Sequence, residues 1–361
     1  MKSFKSKSWI IAIICNLFFP EISIAQIKIM NEQFIFDSAS FPSCHASTIV
    51  ELKNGDILTA WFGGTAEGND DVAIWSSVKS KATGWSVPWV LIKEPGASMY
   101  NPVLFYTLDA VLWLYYKYGK SPMTWSAGKM YSVDNGKTWS DPIHLPAGLY
   151  GPIRAKPLVL TDGTIVSGTS VESFKTWTVW VERSTDHGKS WKKIGPIVVD
   201  PKHYIKSPEQ IIPTGTDIKD TWHYPEGIIQ PSIISLGGNH LRMYCRSTLH
   251  IGRISIADSY NNGLSWTSAK PIEIPNPNSG IDALNLKNKK ILLVYNHTME
   301  GRSPLNLAWS INGLDFKMIH SLETEPGEFS YPSMIQAADG SIHLSYTWNR
   351  KKIKYLHFTA N

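Results

Sequence analysis

Two stretches, Ser132-Val133-Asp134-Asn135-Gly136-Lys137-Thr138-Trp139 and Ser184-Thr185-Asp186-His187-Gly188-Lys189-Ser190-Trp191, decide how this chain folds. Each has the chemistry of a rigid turn: Asp closes on backbone N–H groups, Gly takes a positive φ, and Trp supplies a large ring to pack on a neighbouring sheet. Degenerate copies lie at Ser259–Trp266 and Ser310–Phe316, where Asn replaces Asp or a position is dropped, and Gly84-Trp85 is a remnant.

Working outward, each turn follows a pair of strands, and six such pairs can be traced. They open at His45, Asn101, Lys156, Gln230, Asp282 and Tyr331, with successive spacings of 56, 55, 74, 52 and 49 residues. A four-stranded sheet with two apolar faces needs a sheet on each side, so six of them close into a ring. The expected fold is therefore all-β, a six-bladed β-propeller with Asp-box turns on its outer rim. The strand at Gln33–Asp37 is expected to complete the last sheet. The long fourth interval marks residues 192–229 as an insertion over the mouth; a seventh sheet built there is the alternative, though it is short of sequence.

Composition agrees. The 361 residues are 43% apolar and 18% charged, with 26 Gly and 22 Pro, which favours short strands and tight turns over long helices. Residues 1–25 read as a secretory signal peptide: Lys2, Lys5 and Lys7, the apolar run 9–19, and Ser23-Ile24-Ala25 before the expected cleavage. The run is too short to span a bilayer comfortably. Ile14 before Cys15 fits a lipoprotein processing site poorly, so the mature protein, 26–361, is expected to be a single secreted or periplasmic domain and a monomer. Removing the leader, with its three Lys and Glu21, lowers the net charge from +5 to +3. With no basic run longer than Arg350-Lys351-Lys352, a nucleic-acid partner is not expected, and a local basic pocket for an acidic small substrate is. Cys44 and Cys245 fall on opposite sides of the ring and are expected to be buried free thiols.

In a ring of sheets, the residue opening each first strand and the residue closing each second strand face one central pocket. Openers are His45, Asn101, Arg154 with Lys156, Gln230, Asp282 and Tyr331. Closers include Trp61, Tyr116, Arg246, Asn296 with His297, and Asn349 with Arg350. Polar side chains at nearly every such position suit a wet pocket better than a sealed core. An Arg at the inner end of a strand calls for an anionic partner. His45, His297 and His223 lack metal-ligand spacing, so no metal or other cofactor is expected.

These residues and turns resemble the sialidase superfamily, in its BNR-repeat-like branch, over nearly the whole mature chain. The resemblance implies that Arg246 and Arg302 match carboxylate-binding arginines, that Tyr331 matches the nucleophile, and that Asp70 and Asp71 lie where an acid/base loop is kept. Two departures matter: Cys44-His45-Ala46-Ser47 stands where the family opens with Arg-Ile-Pro, and Gln230 stands for the glutamate that assists the tyrosine. Without that carboxylate the phenol is a weak nucleophile, whereas an imidazole and a phenol suit proton abstraction and delivery. The expected reaction is β-elimination at C4 of a terminal uronic acid in an acidic oligosaccharide. His45 and Tyr331 are the expected catalytic pair, with Arg154, Lys156, Gln230, Arg246, Asn296, His297, Arg302 and Arg350 binding substrate. The segment Cys44–Ile49 and the loop Gly63–Val72 also resemble the branch that includes rhamnose-glucuronate lyases; with water as leaving group the enzyme would be a dehydratase. An exo-sialidase-like hydrolase and a non-catalytic propeller lectin are the alternatives. A lectin would repeat its binding residues, and the six openers all differ.

Overall fold

The computed structural model describes residues 27–206 and 225–360; the expected leader, His223 and part of the expected insertion lie outside the described residues. The innermost strands of six antiparallel sheets are Ser43–Glu51, Ser98–Tyr106, Leu158–Val159, Glu226–Gly237, Asp282–Asn285 and Phe329–Gln336. Every one begins within four residues of an opener read from the sequence. The third and fourth sheets are joined further by a short parallel pairing of Thr176–Trp177 with Glu226–Gly227.

Each junction between consecutive sheets has its own apolar cluster. Leu58 and Phe62 of the first sheet meet Met99 and Leu104 of the second. Phe105 and Tyr115 meet Ile165, then Val166 and Val179 meet Leu241 and Met243. Tyr244 meets Leu293, and Leu292 meets Met334 and Leu344. Ile49 and Trp61 meet Ile353 and Tyr355, which returns the sixth sheet to the first. The fold is thus a β-propeller. Its outer strand in the sixth sheet is Ile27–Phe34, pairing with Lys352–Ala360, so the first and last described strands are tied together. This strand begins earlier than Gln33 and ends at Phe34, because the backbone of Ile35 already bonds singly to Ile353 O.

The turn motif behaves as its chemistry demands. Asp134 Oδ1 accepts from Thr138 N at 2.9 Å and Gly136 N donates to Ser132 Oγ at 2.8 Å, with Gly136 at φ 75°. Ser184 and Asp186 repeat the arrangement. The expected insertion 192–229 is narrower than its composition suggested. Lys192–Ile197 is the outer strand of the third sheet, held to Thr176–Ser184, and Glu226 already begins the fourth. Backbone pairing of Val181 with Ile194 outweighs the polar character of those residues.

Cys44 and Cys245 are both free and buried. Titration of unreduced, denatured protein should find both thiols, and no fast reaction in the native state, because burial pushes each thiol pKa far up. A disulfide in the purified protein would contradict this placement.

Candidate active site

The pocket is built by backbone irregularity at the start of the innermost strands. Register shifts fall between His45 and Thr48, Tyr100 and Val103, Ile229 and Ser232, and Ser330 and Ser333. At those bulges Ala46, Asn101, Gln230 and Tyr331 take positive φ of 56°, 40°, 53° and 53°. A non-glycine residue held there costs on the order of 1–3 kcal/mol, and the bulge re-aims its side chain. Gln230 and Tyr331, each followed by Pro, are turned into a cavity of about 530 Å³.

Tyr331 is the centre of this cavity. Its oxygen accepts from Arg246 Nη1 at 2.7 Å and Gln230 Nε2 at 3.2 Å. Arg246 is fixed in turn by Nε donating to Asn278 Oδ1 at 2.8 Å, and its guanidinium lies 5.6 Å over the Trp177 ring. Neither Gln230 nor Asn278 carries charge, and no carboxylate lies within ion-pair distance of Arg246 among the described residues. Arg302 and Arg350 complete a cationic wall, but both share Glu328, at 2.7 and 2.9 Å, and Arg350 also bonds Glu67. Burial pulls Arg302 below the ordinary arginine range, with the positive charge of Arg246 adding to it.

Of the residues read from sequence, Tyr331, Gln230, Arg246, Arg302 and Arg350 line the cavity. His45 and Arg154 stand behind it. The His45 ring centroid is 4.2 Å from that of Tyr331, the imidazole is 2% exposed, and neither ring nitrogen has a hydrogen-bond partner. Burial, then the charges of Arg350, Arg302, Arg154 and Arg246, hold it well below the ordinary histidine range. Arg154 places its guanidinium 5.2 Å from the Tyr331 ring centroid and donates from Nη2 to Pro332 O across the axis at 2.7 Å.

The remaining three sit elsewhere. Lys156 Nζ donates to Ser333 Oγ at 2.6 Å and lines a separate, smaller cavity with Ser232 and Asp282, because it lies two residues nearer than Arg154 to the inner strand Leu158–Val159. Asn296 is fully buried and spends its Nδ2 on the carbonyls of Arg302, Pro304 and Phe329, so it braces the loop that presents Arg302. His297 is exposed, with Nδ1 2.6 Å from Tyr295 Oη, outside the cavity lining. In the loop where the resemblance led an acid/base residue to be expected, Asp71 is occupied by Thr65 N and Oγ1, and Asp70 pairs with Lys120 at the rim. Among the described residues no three His, Cys, Asp or Glu side chains converge to hold a metal.

Sequence reasoning missed Glu172, which lines the cavity beside Arg246 and Trp177. It closes the second strand of the third sheet, Ile165–Glu172, so the rule that selected Arg246 applied to that sheet selects it too. Its side chain is 9% exposed, Oε1 has no hydrogen-bond partner, and burial pushes the carboxyl up to about 7 against the pull of Arg246.

These two groups act oppositely on stability. Folded His45 binds its proton only well below the ordinary value of about 6.5, so below that pH the unfolded chain binds more protons and the fold loses stability. Folded Glu172 holds its proton up to about 7, so between about 4.5 and 7 acid favours the fold through this group. Thermal unfolding from pH 7.5 to 5 should therefore show a shallower acid loss in His45→Gln and a steeper one in Glu172→Gln than in the wild type. Identical slopes in all three would contradict the placement of both groups.

A β-propeller with an arginine-walled pocket around a tyrosine defines a class, the sialidase-like propellers. The family profile described as BNR repeat-like domain matches residues 55–344, and the chain belongs to that family. A protein of unknown function from Dyadobacter fermentans is similar in structure, with TM-score 0.74, 16% identity, 93% of this chain and 99% of that one covered. The NanB sialidase from Streptococcus pneumoniae superposes with TM-score 0.68 at 12% identity, over 91% of this chain and 70% of its own. The intramolecular trans-sialidase from Ruminococcus gnavus gives 0.67 at 14%, over 92% and 98%. No curated protein matches the chain.

Proposed function

We infer that the protein is an exported carbohydrate-active enzyme that eliminates the C4 substituent from a terminal uronic acid of an acidic oligosaccharide, leaving a 4,5-unsaturated uronate. The observation that carries this reading is the Tyr331 oxygen held by Arg246 and Gln230 with no carboxylate at hydrogen-bond distance among the described residues. A glycosidic nucleophile of this type needs a group to take its proton, and the amide of Gln230 cannot. The same arrangement serves a proton-transfer phenol. In the base role Tyr331 reacts as the phenolate and takes the C5 proton, its charge being met by Arg246 Nη1 and Gln230 Nε2. The sugar carboxylate sits against the cationic wall of Arg246, Arg302 and Arg350, which spreads the charge that develops between C5 and C6. His45, behind the ring, fixes the position of Tyr331 and does not touch the sugar.

A hydrolase acting like the sialidases is the second reading, favoured by Arg246, Arg302 and Tyr331 standing together. Incubation with oligosaccharides ending in a uronate, followed by ultraviolet absorbance and product mass, separates the two. Elimination gives the absorbing unsaturated sugar; hydrolysis releases a saturated one and would overturn the first reading.

A further inference from the structure

Elimination needs two proton transfers, and only the first is assigned above: the oxygen leaving C4 must gain a proton as its bond to carbon breaks. We propose that Glu172, in its protonated form, is the catalytic acid that supplies it. This deepens the elimination reading and rests on it.

Three observations place Glu172 in that role. It lines the same cavity as Tyr331, from the third sheet, while Tyr331 comes from the sixth, so a sugar between them is met from opposite sides of the ring. Its Oε1 is buried with no partner, and Arg246, whose charge reaches it, gives Nε to Asn278 and Nη1 to Gln230 and Tyr331. An ionised carboxylate so placed would be stranded, whereas a carboxylic acid with a ligand hydroxyl or ether oxygen in reach is satisfied. Thirdly, burial keeps the acid form present at neutral pH, which is what a proton donor requires. Gln230 removes a carboxyl from beside Tyr331, and Glu172 brings one back to the same pocket from the third sheet.

The step balances. The C5–H bond breaks and its proton goes to the Tyr331 oxygen; the electron pair forms the C4–C5 double bond; the C4–O4 bond breaks and O4 takes the Glu172 proton. Tyr331 then holds a proton and Glu172 is ionised, and exchange with water restores both.

The test compares wild type, Glu172→Gln and Tyr331→Phe on two substrates: a natural disaccharide with a sugar alkoxide leaving from C4, and a uronate bearing 4-nitrophenol at O4, which leaves without protonation. Glu172→Gln should lose about 10²-fold in kcat on the disaccharide and remain near wild type on the nitrophenyl ether. It should also lose the fall in rate that the wild type shows as pH rises through about 7. Tyr331→Phe should fail on both. Equal losses on the two substrates, or an unchanged alkaline limb in Glu172→Gln, would overturn the role of Glu172. Absence of any unsaturated product from the wild type would instead overturn the elimination reading. Unfolding curves of each variant separate these results from loss of the fold.

Discussion

Tyr331→Phe is expected to lose about 10³–10⁴-fold in kcat on an acidic oligosaccharide while its unfolding transition stays within a degree or two of the wild type. Removing one oxygen deletes the pocket group that accepts from both Arg246 Nη1 and Gln230 Nε2. General acid–base groups contribute about 10²–10⁴-fold, and the upper part of that range applies because, among the described residues, no carboxylate at hydrogen-bond distance is left to act in its place. The ring itself remains, packed 4.2 Å from His45, so the strained backbone at φ 53° keeps its support. A variant with wild-type turnover would move the chemistry away from this residue. A variant that binds substrate normally but turns nothing over would place the loss in the proton transfer rather than in binding.

Arg246→Lys should cost about 10²–10³-fold, of the order seen when one donor to a developing anion is removed. Charge is retained, but geometry is not. The guanidinium donates simultaneously to Asn278 Oδ1, Gln230 Oε1 and Tyr331 Oη, and stacks over Trp177. An ammonium on a flexible stem cannot hold that fork. The loss should fall mainly on kcat, because Arg302 and Arg350 still offer positive charge to the sugar carboxylate. Unchanged kinetics would place carboxylate recognition elsewhere in the pocket, on the Arg302 and Arg350 side bridged by Glu328.

His45 shows how a position legible in the repeat takes an environment that only the fold supplies. Its place at the head of the first sheet follows from the repeat, yet the imidazole lies under a phenol ring with both nitrogens unpartnered. The arginines that crowd it come from the third, fourth, fifth and sixth sheets, far apart in sequence. Lys156 and Arg154 differ in the same way: alternation puts both on one face, but Arg154 reaches the level of Tyr331 and Lys156 the level of Ser333.

What the sequence by itself determined is local and repeated. Ser, Asp, Gly and Trp at set intervals dictate turns through hydrogen bonds that span only a few residues, and their recurrence every fifty or so residues dictates stacked sheets. Strand starts and the polar ring at one end of the propeller axis follow from that count. Only the tertiary structure decided which of those polar residues share a cavity. A bulge of one residue reverses every side chain beyond it, and whether a strand carries one is settled by packing against the next sheet rather than by local preference. Gln230 and Tyr331 enter the pocket through such bulges, and Glu172 Oε1 is buried without a partner in a cavity lined from several sheets.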